Sequence, residues 1–392
     1  MEGGNPLESG IRFEFATATR IRFGRGVLAE VAPAVAGMGR RVFLVTGRST
    51  DRSRPLAEDL TERGCEVATH RVTGEPTVDA VRAAVDAALE HQADVVIAMG
   101  GGSVIDAGKA VAILLTNPGP MTGYLEVIGE GRPLTEPGRP CVAIPTTAGT
   151  GAEVTRNSVL GVPDHGVKVS LRSPLMLPRL AVIDPALTDD LPLEITAYTG
   201  MDALTQLLEA FVSRRANPLT DGICREGLRR AARSLEHAWR GGEVPEARED
   251  MALASLFGGL ALANSRLGAV HGLAAPIGGA FPAPHGAVCA RLLPPVLAAN
   301  LDALADGPSA LRNRFDELAA ILTENPDATA ADGVDWVRRL AETLRIPGLA
   351  RYGLTESAVD DLVDKAGRSS SIRGNPVDLT PETLAEVVRR AL

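Results

Sequence analysis

The chain has 392 residues, 45% of them hydrophobic, which is enough to bury a large core in two domains or in one elaborated domain. Its formal net charge of −9 at pH 7 argues against a nucleic-acid or anionic-membrane partner, since both select a basic surface. No apolar run approaches the roughly 18 residues of a membrane span, and the polar N-terminus lacks the pattern of a secretory signal.

The first half of the chain alternates β-rich runs with runs of helical periodicity. Strands are predicted over residues 41–46, 65–72, 94–99 and 140–144, and helices over residues 56–63, 77–91 and 107–115. Residues 13–16 and 20–23 are expected to form a hairpin at the sheet edge, and residues 168–171 and 180–184 are further strand candidates. This order predicts a parallel sheet with helices on both faces.

After Pro185 the strand patterns nearly vanish and helical patterns follow one another. Helices are predicted over residues 195–212, 221–239, 247–264, 288–301, 309–322 and 331–344. The change of pattern places a domain boundary near residues 184–194. We therefore expect an α/β dinucleotide-binding domain over residues 1–190 and an all-α metal- and substrate-binding domain over residues 191–392.

Four cysteines are scattered through the chain without any Cys-x-x-Cys pair: Cys65, Cys141, Cys224 and Cys289. Such spacing is typical of free thiols in a reducing compartment rather than of a disulfide framework. We therefore expect a cytoplasmic protein.

Two loops rich in glycine and threonine follow predicted strands, and each is suited to holding phosphates. In the first, Gly100-Gly-Gly-Ser103-Val-Ile-Asp106, glycines admit a phosphate to the backbone and the following helix offers free N–H groups. The alternative is a simple capping turn with Ser103 as the helix N-cap. The second loop, Pro145-Thr-Thr-Ala-Gly-Thr150-Gly, carries more hydroxyls than a turn requires. Together the loops favour a nucleotide site, although the chain has no Gly-x-Gly-x-x-Gly after its first strand.

The end of the strand at residues 41–46 bears on the choice of nucleotide. An acidic residue at such a strand end would bind a ribose 2′-hydroxyl and repel a 2′-phosphate. Here Gly47 is followed by Arg48 and Ser49, which favours NADP(H). The alternative is a solvated turn without a ligand.

A possible metal site lies in the second half. Asp202 and Gln206 are four residues apart on a predicted helix and point the same way. His271 and His285 flank a Gly/Pro-rich turn, so they could converge on the same ion. A carboxylate with two imidazoles is a divalent-metal ligand set that leaves room for a substrate oxygen. The alternatives are a core histidine at 271 and a helix N-terminal residue at 285.

In order and spacing, these motifs resemble the iron-containing (group III) alcohol dehydrogenase family, over nearly the whole chain. The resemblance implies an N-terminal nucleotide-binding α/β domain and a C-terminal helical domain of the dehydroquinate-synthase-like type, with the active site between them. It implies that the metal is Fe(II) or Zn, held by Asp202, His271 and His285, which are also the catalytic residues. It implies coenzyme contacts from Gly101, Gly102, Ser103, Asp106, Thr146, Thr147, Thr150 and Lys168.

Two positions depart from the family pattern. The usual fourth metal ligand is a histidine, where this chain has Gln206, and a frequent histidine four residues after the first matched one is replaced by Ala275. A glutamine oxygen is a weaker ligand for iron or zinc than an imidazole. Related maleylacetate reductases work without a metal.

These features predict a metal-assisted alcohol dehydrogenase or aldehyde reductase that uses NADP or NAD. Its partner would be a small alcohol or aldehyde, and the edge hairpin could pair two chains in a homodimer or larger assembly. The alternatives are a metal-free oxoacid reductase of the maleylacetate type and a non-catalytic nucleotide-binding protein. A dehydroquinate-synthase-like or glycerol-phosphate dehydrogenase activity ranks lower, since those enzymes need clustered basic residues and more metal histidines.

Overall fold

A computed structural model describes residues 11–126, 128–163, 167–241, 244–305 and 307–392 of the chain. Its eight strands are β1 (Ile21–Phe23), β2 (Arg41–Thr46), β3 (Glu66–Arg71), β4 (Val95–Gly100), β5 (Cys141–Pro145), β6 (Asn157–Val162), β7 (Val167–Arg172) and β8 (Leu180–Ile183). Six of them form one sheet in the order β1-β8-β5-β4-β2-β3, and every pairing in it is parallel. The predicted parallel sheet is therefore confirmed.

Four helices cover the sheet: α1 (Val31–Ala36), α2 (Arg54–Glu62), α3 (Val78–Glu90) and α4 (Gly102–Leu114). Alternation along β2 explains why both faces are covered, because successive side chains of a strand point to opposite faces. Val42 and Leu44 pack with residues of α1 and α2, whereas Phe43 and Val45 pack with residues of α3 and α4. Since both sets are apolar, the strand is buried on both sides.

The predicted edge hairpin is wrong. Residues 13–16 form no strand, and β1 instead joins the sheet edge in parallel with β8, with Ile21 opposite Ala181. The physical reason is a distant side chain. Asn264 accepts a hydrogen bond from the Ala16 N–H at 2.7 Å and donates one to the Ala16 carbonyl at 3.0 Å, so the backbone at this residue is not free to join a ladder.

The antiparallel pair of β6 and β7 stands apart from the main sheet. The candidate strand at residues 168–171 is confirmed as part of β7, but its partner β6 was not predicted. Strand β6 follows the threonine-rich loop. The Ser158 hydroxyl donates a hydrogen bond to the Asp106 carbonyl, and the Val159 N–H donates one to the Asp106 carboxylate on α4.

The described residues after β8 form helices joined by turns, without a strand. Its helices are α5 (Leu193–Val212), α6 (Pro218–Arg240), α7 (Pro245–Ser265), α8 (Ala269–Ala280), α9 (His285–Ala303), α10 (Ser309–Thr323), α11 (Ala330–Thr343), α12 (Val359–Gly367) and α13 (Pro381–Ala391). All six predicted helices are confirmed. An N-terminal parallel-sheet domain thus precedes a helical C-terminal domain, as the predicted fold class required.

The Gly/Pro-rich stretch between the two histidines is mostly helix rather than turn. Helix α8 runs from Ala269 to Ala280 with Pro276 inside it, and only residues 281–284 form the turn. Glycine and proline disfavour helices, but most of α8 is buried and tertiary packing outweighs propensity. Among the described residues, no single helix is long and apolar enough to cross a membrane. Helices α7 and α8 meet that criterion only as a pair, which is bent by 100°.

Candidate active site

A cleft of about 360 Å³ opens at the carboxyl ends of β2, β4 and β5. The register brings Thr46 level with Met99 and Gly100 level with Pro145, so the loops that follow these strands start side by side. Strand β3 pairs with one side of β2 and strand β4 pairs with the other, so the strand order reverses between β2 and β4. Parallel sheets of this kind bind nucleotides at such a switch point. The cleft is lined by Gly47, Arg48, Ser49, Arg52, Ser53, Met99, Gly100, Gly101, Thr146, Leu191 and Pro192.

The two predicted phosphate loops touch one another at the edge of this cleft. A Cβ atom on Gly101 would lie 3.6 Å from the Thr147 side chain, and one on Gly102 would lie 2.7 Å from Thr150 Oγ1. Glycine is therefore required at 102 for the loops to meet. Gly47, Gly101 and Thr146 line the cleft itself, and Gly102, Thr147 and Thr150 lie directly beside it.

Helix α4 presents an uncapped N-terminus to the cleft. Its N-cap is Gly101, and no side chain caps the first N–H groups. The alternative of a capping turn with Ser103 as N-cap is therefore wrong. Free N–H groups and the positive end of the helix dipole suit a phosphate.

Asp106 and Lys168, both predicted coenzyme contacts, have protein partners. The Asp106 carboxylate accepts a 2.9 Å hydrogen bond from the Val159 N–H and lies 3.1 Å from Lys109 Nζ. Lys168 Nζ donates to Glu75 at 2.7 Å. A contact of either residue with the coenzyme stays a prediction.

Three helices bring the predicted metal-binding residues together. Asp202 lies in the middle of α5, His271 in the first turn of α8, and His285 at the first residue of α9. The Nε2 atoms of His271 and His285 lie 3.4 and 3.5 Å from Asp202 Oδ1. Asp202 is buried and its Oδ1 has no hydrogen-bond partner, a costly arrangement unless a cation binds there.

Sequence reasoning missed Cys289, which is part of the same cluster. Its Sγ lies 3.7 Å from His271 Nε2 and 3.6 Å from His285 Nε2, and one ligand atom from each of the four residues falls within 4.8 Å of every other. Its spacing of four from His285 puts both side chains on one face of α9. That spacing is visible in the sequence.

Glu209 is a second residue that sequence reasoning missed. It is buried on α5, and its carboxylate accepts hydrogen bonds of 2.7 Å from His271 Nδ1 and from the Val270 N–H. Because a carboxylate only accepts, the Nδ1 atom carries a proton, and Nε2 is the ring atom that faces Asp202. Glu209 thereby fixes the tautomer that a metal ligand needs.

Gln206 lies one turn after Asp202 but uses its amide elsewhere. Its Nε2 donates to the Thr150 carbonyl at 3.2 Å, which connects helix α5 to the threonine-rich loop. Its Oε1 is buried without a partner and lies beside α7, where a Cβ on Gly258 would be 2.9 Å away. The structure does not test its predicted role as a metal ligand.

The electrostatics of the cluster favour a bound cation. Burial alone would raise the pKa of Asp202, but His285, His271 and Cys289 outweigh it and hold that pKa below its usual range. Burial alone would lower the pKa of His271, but Cys289, Asp202 and Glu209 raise it well above its ordinary value. The carboxylate and the imidazoles thus stabilise one another's charged forms, and a divalent ion would compete with the imidazole protons for the same lone pairs. The nitrogen, oxygen and sulfur donors suit zinc or iron(II).

A cleft at the switch point of a parallel sheet, together with a buried cluster of side chains that could bind a metal, is what a metal-assisted nicotinamide-dependent dehydrogenase requires. Comparisons with known proteins identify the family. Sequence models of the iron-containing alcohol dehydrogenases match residues 18–185, and those of the family's C-terminal domain match residues 196–392. The chain belongs to the iron-containing alcohol dehydrogenase family.

Individual relatives agree with this family. The 1,3-propanediol dehydrogenase of Citrobacter freundii is 34% identical over 365 residues, which cover 90% of this chain and 92% of the relative. The crystal structure of a 1,3-propanediol oxidoreductase superposes with a TM-score of 0.89 at 32% identity, covering 97% of this chain and 100% of the other. The sulfoacetaldehyde reductase of Bifidobacterium kashiwanohense, solved with NAD⁺, gives a TM-score of 0.83 at 28% identity, covering 97% and 99%.

The predicted enzyme class is thus confirmed. The protein is an NAD(P)-dependent alcohol dehydrogenase or aldehyde reductase, and its family binds a metal ion and a nicotinamide nucleotide.

Proposed function

We propose that this enzyme transfers a hydride between NADP(H) and a small alcohol or aldehyde at a divalent metal site, working mainly as an aldehyde reductase. The observation that carries the proposal is the convergence of Asp202, His271 and His285 from three helices around a buried carboxylate oxygen without a partner. A buried carboxylate oxygen without a partner is costly, and a bound cation would satisfy it.

The protein's own groups supply binding and orientation. Asp202, His271 and His285 would hold Fe(II) or Zn, and the sequence offers Gln206 as one candidate for a further ligand. When bound, the ion supplies a Lewis acid that polarises a carbonyl oxygen. Glu209 keeps the His271 ring in place, and burial of the cluster excludes bulk water from its inner side. The side chain of His285 is 34% exposed, which marks the open side where substrate would approach.

The coenzyme would lie along the cleft described above. The uncapped α4 N-terminus with Gly101, Gly102 and Ser103 would take the pyrophosphate, while the loop of Thr146, Thr147 and Thr150 contacts the same ligand. The remaining predicted contacts, from Gly47, Asp106 and Lys168, belong to this proposal too.

NADP(H) is favoured over NAD(H) by the charge of the cleft. Arg48 and Arg52 both line it beside Gly47, and none of its eleven described lining residues is acidic. A 2′-phosphate would gain charge-assisted hydrogen bonds from these guanidinium groups, and no carboxylate among them would repel it.

The domain limits and the assembly are also proposals. We place the boundary at residues 190–191, between the end of β8 and the start of α5. A homodimer or larger assembly would cover the exposed apolar residues beside edge strand β1, of which Ile11 is 77% and Phe13 is 48% exposed. Light scattering should then report a smaller species for an Ile11→Ser/Phe13→Ser variant. The four cysteines are buried and unpaired, which favours the cytoplasm.

The experiment that tests the catalytic proposal uses protein purified without oxygen or chelator. Elemental analysis should find about one zinc or iron per chain, and NADPH should be oxidised with a panel of small aldehydes. Removing the metal should abolish turnover, and adding it back should restore turnover. Full activity of metal-free protein would contradict the proposal and favour the oxoacid reductase alternative, for which maleylacetate-type substrates would be tried.

A further inference from the structure

We propose that the thiolate of Cys289 is the fourth metal ligand of this enzyme, so that the ion is held by Asp202, His271, His285 and Cys289. The inference rests on the proposed metal site and adds a ligand type to it. Gln206, at the position of the family's usual histidine, would then serve as a link to the coenzyme loop and not as a ligand.

The spacing of the four side chains carries the inference. Ligand bonds of about 2.0–2.3 Å at tetrahedral angles separate neighbouring N, O and S atoms by about 3.3–3.6 Å. The two imidazoles lie 3.4 and 3.5 Å from Asp202 Oδ1, and Cys289 Sγ lies 3.6 and 3.7 Å from the same two nitrogens. These are four of the six distances among the four donor atoms, and they are close to those expected around one ion, which could still take a substrate oxygen as a fifth ligand.

Two observations make this more than a cysteine near two histidines. Asp202 is 1% exposed, and its Oδ1, the atom that faces both imidazoles, has no hydrogen-bond partner. Cys289 itself is 0% exposed, although a small apolar residue would fill a core position on α9 equally well. One sulfur and two imidazole nitrogens that face one another are a common set of donor atoms for zinc and for other metals that prefer sulfur.

The contacts of Gln206 support Cys289, and not Gln206, as the fourth ligand. Its Nε2 is used by the Thr150 carbonyl, and its Oε1 lies against Gly258 on α7. Reversing the amide would bring two carbonyl oxygens together at Thr150, so the hydrogen bond determines the orientation. The fourth ligand is thereby supplied by α9 instead of α5.

A thiolate in place of the family's usual third imidazole would change the metal preference of the site. Thiolate is a softer donor than imidazole, so the site should favour zinc over iron(II) more strongly than a site with three histidines. With one carboxylate and one thiolate, two negative charges balance a divalent ion in this buried place.

Cobalt(II) substitution tests the proposal by absorption, independently of catalysis. The full-length protein is stripped of metal and reloaded with cobalt(II), and a sulfur-to-cobalt charge-transfer band is sought in the near ultraviolet. We expect the band in the wild type, in Gln206→Ala and in the control Cys65→Ala, which removes a buried thiol remote in sequence. Cys289→Ser should lose the band and bind zinc at least ten-fold more weakly, whereas Gln206→Ala should change zinc affinity less than three-fold.

X-ray absorption of the zinc-loaded wild type provides a readout that needs no variant. One sulfur at about 2.3 Å from zinc supports the proposal. A shell of only nitrogen and oxygen, in protein that binds one metal and reduces aldehydes, would overturn it while the proposed function stands. Protein that binds neither cobalt nor zinc would overturn both.

Discussion

Glu209 and His271 are joined by a 2.7 Å hydrogen bond between buried atoms, and the ring of His271 lies between Glu209 on one side and Asp202 on the other. The carboxylate also accepts from the Val270 N–H in the first turn of α8. One side chain of α5 thus sets both the start of α8 and the orientation of a proposed metal ligand.

Replacing Glu209 should therefore weaken metal binding without removing a ligand. Substituting the hydrogen-bond partner of a metal-bound histidine typically costs about 10- to 100-fold in affinity or activity. We expect Glu209→Ala to fall in that range and Glu209→Gln to lose less, since the amide oxygen can still accept from Nδ1. Zinc affinity measured by chelator competition checks this. Equal affinities for both variants and the wild type would show that the hydrogen bond has no role in binding.

Gly47→Asp should shift coenzyme preference from NADP towards NAD. The position has room, because the nearest atom to an added Cβ is 3.9 Å away in the Val104 side chain. The new carboxylate would bind a ribose 2′-hydroxyl and repel a 2′-phosphate. The ratio of kcat/KM for the two coenzymes is the measurement, with Gly47→Asn as an uncharged control. A ratio that Gly47→Asp leaves unchanged would remove the 2′-phosphate from this end of the cleft.

Gly259→Ala should disturb the coenzyme loop from the helical domain. A Cβ on Gly259 would lie 2.7 Å from the Cα of Gly151, which itself has a φ of 59°. Backbone atoms at this distance cannot turn aside as a side chain would, so we expect a loss of about 1–3 kcal/mol in unfolding free energy and weaker NADPH binding. Denaturant unfolding and coenzyme titration measure the two effects.

A second glycine provides the control for that substitution. Gly222, on α6, has no atom within 4 Å of an added Cβ. Gly222→Ala should stabilise the protein by about 0.5–1 kcal/mol and leave coenzyme affinity unchanged. If both variants behave alike, the contact between Gly151 and Gly259 is not what determines the loop position.

Glu153, in the short 3-10 helix that follows the threonine-rich loop, should make stability depend on pH. Burial raises the pKa of its carboxyl from 4.5 to about 7, although a backbone hydrogen bond and Lys109 oppose the shift. Below the unfolded pKa both states are protonated and this contribution is fully present. As pH rises towards 7 the unfolded chain ionises first, so stability is lost, by an amount on the order of 3 kcal/mol.

The matched variant for this pH effect is Glu153→Gln, which cannot ionise. Unfolding free energies of both proteins at pH 5 and pH 8 should differ in slope, with the wild type losing more stability across that interval. Other titrating groups cancel in the comparison. Parallel pH profiles would mean that Glu153 is ionised in the folded protein at pH 5.

Most of the strands and helices could be predicted from local patterns, because apolar alternation and helical periodicity can be recognised from residues that are close together in the chain. The edge hairpin failed for the opposite reason: the backbone of Ala16 is bonded by Asn264, which lies 248 residues away. The helix at residues 269–280 is not predicted from local patterns, because glycine and proline disfavour helices. The burial that stabilises it exists only in the folded protein.

The metal cluster was predicted in part for similar reasons. Asp202, His271 and His285 stood out through residue type and order. Cys289 did not stand out, because the wide spacing of the four cysteines indicates only free thiols, although its distance of four residues from His285 is visible in the sequence. The partners of Gln206 and Lys168 come from distant segments, and no local pattern contains them.

The hydrogen bond from Gln206 to the Thr150 carbonyl joins the helix that carries Asp202 to the loop proposed to contact the coenzyme. This hydrogen bond would transmit a displacement of that loop on coenzyme binding to α5, one turn from the Asp202 carboxylate. Thermodynamic reciprocity then requires that metal occupancy alter coenzyme affinity by the same factor by which coenzyme alters metal affinity. If the two sites favour one another, loss of the metal would weaken coenzyme binding by that factor, and removal of the Gln206 amide would reduce the coupling.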